Sequence, residues 1–258
     1  MTIPALAVSA PVGPAGAPLL VLGNSLGTSS ILWESAIPLL SQRFRVATFD
    51  HPGHGASPAA TEPFTLGEIA LGVLDAVDAL GEREFFYAGV SLGGTVGLEL
   101  LLGSHDRVRA AAIVCSGAKI GTTEGWVERA VVVRAQGTAS LVVASAGRWF
   151  APGSIERHPD LTGRLLHSLR DADDESYALA VESLATFDVR ALLGNIAAPV
   201  LAVWGEFDVV TPEALADEIA AGVQNGRSVR IADAAHLAPA EQPEAVASVL
   251  IEFFEGVA

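Results

Sequence analysis

A single cysteine, Cys115, stands in 258 residues. One thiol has no partner within the chain, so a disulfide framework is excluded, as is any metal site built from several cysteines. Lysine is almost as scarce, with Lys119 alone, and all bases together number 15 against 30 acids, a net charge of −15. Binding to phosphate backbones or anionic lipid depends on clustered Lys and Arg, so this balance argues against a nucleic-acid or membrane-surface partner. The first basic residue is Arg43, and the amino-terminal stretch therefore lacks the basic start of a secretion signal. No apolar run reaches the ~18 residues that span a bilayer, because Pro, Gly or charge interrupts each one. The expectation is a soluble protein of the reducing cytoplasm.

Hydrophobic residues make up 50% of the chain and charged residues only 17%. A chain of this length and composition can bury roughly 70–75% of its unfolded surface, which excludes disorder and fits one large domain or two small ones. There is no internal repeat and no low-complexity linker.

Short β-rich runs at 19–22, 45–49, 85–90 and 110–115 end in Gly, Asn or Asp turn chemistry and read as buried strands. Between them, Leu66, Ile69, Val73, Val77 and Leu80 recur at spacings of three and four, with Gly81 as the stop, which predicts a helix over 65–80. A second helix is predicted over 92–102. Strand and helix alternating in this way predict an α/β fold with a mostly parallel sheet covered on both faces and ligands at the carboxyl ends of the strands. From 121 to 194 the strand signal vanishes, and helices are predicted over 126–136, 139–149, 161–169 and 175–186. Strands return at 199–204 and 228–231, each followed by a helix, at 213–221 and 243–254. The expected organisation is a core of residues 1–120 and 195–258 with a helical cap at 121–194, forming one folding unit.

Gly89-Val90-Ser91-Leu92-Gly93 falls where a strand meets a helix. In that context a serine is held on a tight turn above the sheet as a nucleophile. A serine hydroxyl is weak at neutral pH and needs a base, and the base needs an orienting acid. Of six histidines, His236 follows the last predicted strand by five residues and is the candidate base. His51 and His54, in Asp50-His51-Pro52-Gly53-His54-Gly55, are read as shaping their own loop or the pocket edge, with the base role as the alternative. His105, His158 and His167 are read as surface residues. Asp208, four residues beyond the strand ending at Trp204, is the candidate acid, with Glu206 and Asp233 as alternatives. The order Ser91, Asp208, His236 is that of α/β hydrolases. The oxyanion of an acyl-transfer intermediate needs backbone donors. Leu92, next to the nucleophile, and Leu26, in the loop Gly23-Asn24-Ser25-Leu26-Gly27-Thr28, are the candidates. Cys115 reads as a small buried hydrophobe. The acidic cluster at 171–175 lacks the glycine and terminal glutamate spacing of a calcium loop.

The segments Gly-Asn-Ser-Leu-Gly-Thr at 23–28, Asp-His-Pro-Gly-His-Gly-Ala-Ser at 50–57, Gly-Val-Ser-Leu-Gly-Gly at 89–94, Arg-Trp-Phe at 148–150 and Asp-Ala-Ala-His-Leu-Ala-Pro at 233–239 together resemble the 3-oxoadipate enol-lactonases. The resemblance spans nearly the whole chain. It implies an α/β-hydrolase fold with a helical cap insertion, and hydrolysis of a carboxylated enol-lactone to 3-oxoadipate through an acyl-enzyme. No metal or organic cofactor is required by that chemistry, and the sequence shows no ligand cluster. Other readings are an esterase or lactonase of the same fold acting on another small acyl substrate, and a hydrolase-like ligand receptor.

Charge within the predicted cap points to an anionic ligand independently. Residues 129–170 hold six arginines (129, 134, 148, 157, 164 and 170) against Glu156 and Asp160, a local net charge of +4. Arg134 continues the stripe Val127, Val131 at i, i+4 and i+7, so it is expected to share the inward, apolar face; the alternative is a snorkelling stem whose head pairs with an acid. Arg134 and Arg148 are the candidate carboxylate contacts, with Ser25, Trp126 and Trp149 as further candidate substrate-binding residues; the two tryptophans are read as cap core first and pocket wall second.

Overall fold

In the computed structural model, residues 3–104 and 106–257 are described; the expectation for His105 lies outside them. The elements run β1 (Leu19–Gly23), α1 (Ile37–Leu40), β2 (Arg45–Phe49), α2 (Leu66–Ala79), β3 (Phe85–Val90), α3 (Leu92–Gly103) and β4 (Val108–Val114). An all-helical stretch follows: α4 (Thr123–Gln136), α5 (Val142–Trp149), α6 (Ser154–Arg157), α7 (Pro159–Asp171) and α8 (Asp174–Thr186). The chain then returns through β5 (Val200–Gly205), α9 (Glu213–Gly222) and β6 (Gly226–Ile231), and ends in α10 (Ala238–Glu241) and α11 (Pro243–Glu255).

The six strands form one sheet in the order β2-β1-β3-β4-β5-β6. Where a mostly parallel sheet was expected, every strand pair among the described residues is parallel. Antiparallel pairing is confined to isolated bridges from Val8 to Phe49 and from Val12 to Val46. The central strands are buried along their length because helices cover both faces, which is why they read as unbroken apolar runs. α3 runs through the middle of the molecule and is buried on nearly all sides, so it has no polar stripe. α2 starts where the sequence indicates: Thr65 and Glu68 form a reciprocal capping box.

Register brings the strand ends level. Gly23 pairs with Gly89, Gly89 with Ile113, Ile113 with Ala202, and Gly205 with Ile231. The loops that leave β1, β3, β4, β5 and β6 therefore emerge along one edge of the sheet. No helix among the described residues is long and apolar enough to cross a membrane.

Candidate active site

Ser91 sits between β3 and α3 with φ 54° and ψ −111°. A non-glycine residue at such a φ is strained and persists only where its surroundings over-determine it. Here they do. The Ser91 N–H donates to Val114 O at 2.9 Å, and Ser116 Oγ donates to Ser91 O at 2.7 Å. The neighbouring glycines permit the turn: a Cβ on Gly93 would stand 2.6 Å from the backbone carbon of Gly23, and one on Gly89 would overlap the backbone of Gly93. Only glycine lets β3 turn into α3 while the loop after β1 lies against it.

That loop is held by a buried polar network. Gly93 N–H donates to Asn24 O at 3.0 Å. The same carbonyl accepts from His51 Nε2 at 2.7 Å. Burial, and then the neighbouring His54, push the His51 pKa down to about 3; the ring is neutral and its Nε2 carries the proton. Asn24 Nδ2 donates to Phe49 O at 2.6 Å and to Asp50 Oδ1 at 3.1 Å, and Asp50 in turn accepts from Ser30 N and Ala56 N. His51 and His54 are thus loop braces, as the sequence indicated. Among the described residues, the backbone N–H of Leu26 and that of Leu92 have no acceptor, which leaves both free to bind developing negative charge. Ser25 is buried in the same loop, where its carbonyl accepts from Thr28.

Asp208 lies in the turn after β5 and His236 in the loop after β6. His236 Nδ1 donates to Asp208 Oδ2 at 3.0 Å, a bond that turns Nε2 into the ring's free acceptor. Val210 N and Thr211 N donate to Asp208 Oδ1 at 2.8 and 2.9 Å, and Thr211 Oγ1 donates to Oδ2 at 2.6 Å. Burial raises the Asp208 pKa, but the charge and hydrogen bond of His236 and the bonds from Thr211 outweigh it and hold the group below its ordinary value. The two alternative acids lie apart from the ring: Glu206 pairs with Arg230 and accepts from Asp233 N, and both are exposed.

A cavity of about 270 Å³ opens beside this turn. Val209 and Val210 line its core side, and Trp126, Arg129 and Arg148 line it from α4 and α5. Ser91 and His236 are outside its lining. Arg129 lies over the Trp126 ring, 5.1 Å from its centroid. Burial, and then Arg129, lower the pKa of Arg148, which also feels Asp208. Neither arginine pairs with a carboxylate among the described residues. Both also act on buried Tyr177, whose phenol is pushed up by burial against their pull.

Arg134 is a correction. Val127 and Val131 are 48% and 61% exposed, so the stripe expected to face inward faces solvent. The packed side of α4 carries Ala130 and Val133 against α8. Arg134 forks onto Glu175, with bonds of 2.9 and 2.7 Å, and onto Glu182; it is an α4–α8 surface clamp. Trp149 is buried beside Phe150 and outside this cavity's lining, as the core reading expects, with its ring near Gly27 of the loop after β1. The three remaining arginines of residues 129–170 are engaged elsewhere, Arg157 with Pro152 O and Ser154 Oγ, Arg164 with Glu34 and Arg170 with Asp171. Arg129, counted in the sequence but not singled out, lines the cavity where Arg134 does not; the Trp126–Arg129 spacing of one helical turn was the available signal.

Comparison with known proteins identifies the family. A family model described as the alpha/beta hydrolase fold matches residues 18–243. The chain is 34% identical to 3-oxoadipate enol-lactonase 1 of Acinetobacter baylyi, over 95% of this chain and 91% of that protein. It is 33% identical to 3-oxoadipate enol-lactonase 2 of the same organism, over 90% and 87%. Among solved structures, the enol-lactonase from Burkholderia xenovorans LB400 superimposes with a TM-score of 0.93 at 32% identity, covering 97% of this chain and 96% of that one. The chain belongs to the α/β hydrolase superfamily and, within it, to the 3-oxoadipate enol-lactonase family.

Proposed function

We propose that this protein is a serine hydrolase that opens 3-oxoadipate enol-lactone, with Ser91 as nucleophile, His236 as general base and Asp208 as the acid that orients it. The observation that carries this reading is the 3.0 Å bond from His236 Nδ1 to Asp208 Oδ2, on a sheet edge that also presents Ser91 on its strained turn. Ser91 Oγ attacks the lactone carbonyl as its proton passes to His236 Nε2. The oxyanion so formed is bound by the N–H groups of Leu26 and Leu92; one such donor is typically worth roughly 3–4 kcal/mol of barrier. Collapse breaks the ring C–O bond, the enol oxygen takes the proton from His236, and an ester to Ser91 remains. Water, deprotonated by the same ring, cleaves that ester and releases the acid, and the enol tautomerises to the ketone. An enolate is a better leaving group than a simple alkoxide, so ring opening is the easier half.

The substrate's carboxylate is assigned to Arg129 and Arg148, two guanidinium groups that have no carboxylate partner among the described residues and that line one small cavity with Val209 and Val210, just past Asp208. An Arg fork matches a carboxylate in shape and charge.

The test is a spectrophotometric assay of enol-lactone generated in situ beside a short aryl ester. Rapid loss of the enol-lactone with slow ester cleavage is expected, and Ser91→Ala should lower turnover by several orders of magnitude with the fold intact. The reverse substrate ranking would assign the chain to small neutral esters. Wild-type activity in Ser91→Ala would remove the nucleophile.

A further inference from the structure

Five residues beyond His236, Glu241 closes α10 with a carboxylate only 5% exposed. A buried carboxylate is costly unless donors replace the lost water. All three donors to Glu241 are neutral, and they come from two different parts of the chain. Oε2 accepts from the N–H of Ala235, the residue before His236, at 2.7 Å. Oε1 accepts from Ala151 N–H at 2.7 Å and from Ser154 Oγ at 2.6 Å, both just beyond Trp149 at the end of α5. A second tie runs parallel, Leu237 N–H donating to Trp149 O at 3.2 Å.

The next peptide, Ala235–His236, is also fixed. Its carbonyl accepts from Cys115 Sγ at 3.6 Å, and a Cβ on Gly205 would overlap it, so the end of β5 packs directly beneath. Phe207 N–H holds the preceding carbonyl, that of Ala234, at 2.8 Å. The Ala234–Ala235 peptide is therefore held on its carbonyl by Phe207 N–H and on its N–H by Glu241, and the Ala235–His236 peptide that leads into the base rests on the ends of β4 and β5.

We infer that Glu241 is a positioning residue: one buried carboxylate braces the backbone at His236 against the α5–α6 junction, so that the base and the segment carrying Arg148 are held in a single register. The inference rests on the reading of His236 as base. Losing the brace frees the Ala235 peptide to rotate, and a base misplaced by an ångström can cost about a hundredfold in rate. Arg157, which donates to Ser154 Oγ at 3.1 Å, extends the same chain of bonds to the surface.

The test uses the whole protein and a small fluorophosphonate that phosphonylates an activated serine, so it does not depend on knowing the natural substrate. Wild type is expected to label at Ser91. Glu241→Gln has nearly the same shape, but its amide NH₂ must oppose one of the donors; it is expected to label 10- to 100-fold more slowly while still melting cooperatively. Equal labelling rates in wild type and Glu241→Gln, with only the melting temperature lowered, would reduce Glu241 to structure and overturn the proposal while leaving Ser91 as nucleophile. A wild-type chain that leaves Ser91 unlabelled overturns the hydrolase reading and this proposal with it. Hydrogen exchange on the wild type serves if the variant does not fold. The Ala235 amide should exchange as slowly as that of Ala151, and rapid exchange at Ala235 sinks the brace.

Discussion

At the scale of single residues, Ser91 shows how a site stores strain. Its φ of 54° suits glycine, and such a conformation costs on the order of 1–3 kcal/mol for a residue with a Cβ. Ser91→Gly is therefore expected to abolish turnover while raising unfolding free energy by about 1 kcal/mol, read from urea denaturation; a destabilised Ser91→Gly protein would mean that the turn is not strained. Cap arginines separate at the same scale. Arg129→Ala and Arg148→Ala should each raise KM for the carboxylated lactone more than for a neutral ester. Arg134→Ala, which removes only an exposed clamp onto Glu175 and Glu182, should leave both KM values within about twofold and cost at most about 1 kcal/mol of stability. An equal KM effect from Arg134→Ala would return it to the pocket.

At the scale of elements, the junctions decide function. β3, Ser91 and α3 were legible because glycines at 89, 93 and 94 and the change of hydrophobic period from strand to helix are local signals. Gly93→Ala tests the junction. Its Cβ would meet the Gly23 backbone, which has no side chain to swing aside, so a loss of roughly 1–3 kcal/mol in stability and a drop in kcat of more than tenfold are expected, measured by thermal melts and ester turnover. The orientation of α4 was not legible. Its two sides differ little in hydrophobicity, with Val127 and Val131 on one and Ala130 and Val133 on the other, and only packing against α8 fixes which is buried. The same ambiguity hid Arg129. Glu241 escaped notice for another reason: a glutamate on a short helix is ordinarily exposed, and its burial follows from the return of the chain past Trp149.

At the scale of the whole molecule, buried histidines couple the fold to pH. His51 and His54 are buried and neutral, with pKa values lowered chiefly by burial, His51 to about 3. In the unfolded chain they titrate near 6.5. For His51, between about 6.5 and 3 the unfolded state binds more protons than the native state, so stability falls as pH falls through that window, by up to about 1.4 kcal/mol per pH unit; His54, lowered for the same reason, adds to the loss in the same direction. Asp208, with its pKa lowered in the native state, adds a further loss only at lower pH. Urea melts between pH 7 and 5 should show this slope, and His51→Gln, which keeps a donor for Asn24 O, should flatten it by about one proton. A pH-independent stability over that range would contradict the buried neutral rings. The acidic surface, with a net charge of −15, leaves the Arg129–Arg148 cavity as a local positive site in a repelling field.

By itself the sequence determined what depends on neighbours along the chain: the alternation of strand and helix, the serine on its glycine-flanked turn, and the positions of Asp208 and His236 just past strands. Each is a matter of local period, turn chemistry or distance from a strand end. Tertiary structure alone decided which side of α4 meets α8, which arginines stay unpaired, and which distant donors satisfy Glu241. Those outcomes depend on desolvation and hydrogen bonding between segments up to 130 residues apart, and the cost of burying a charge is set by the groups packed around it, which no local pattern specifies.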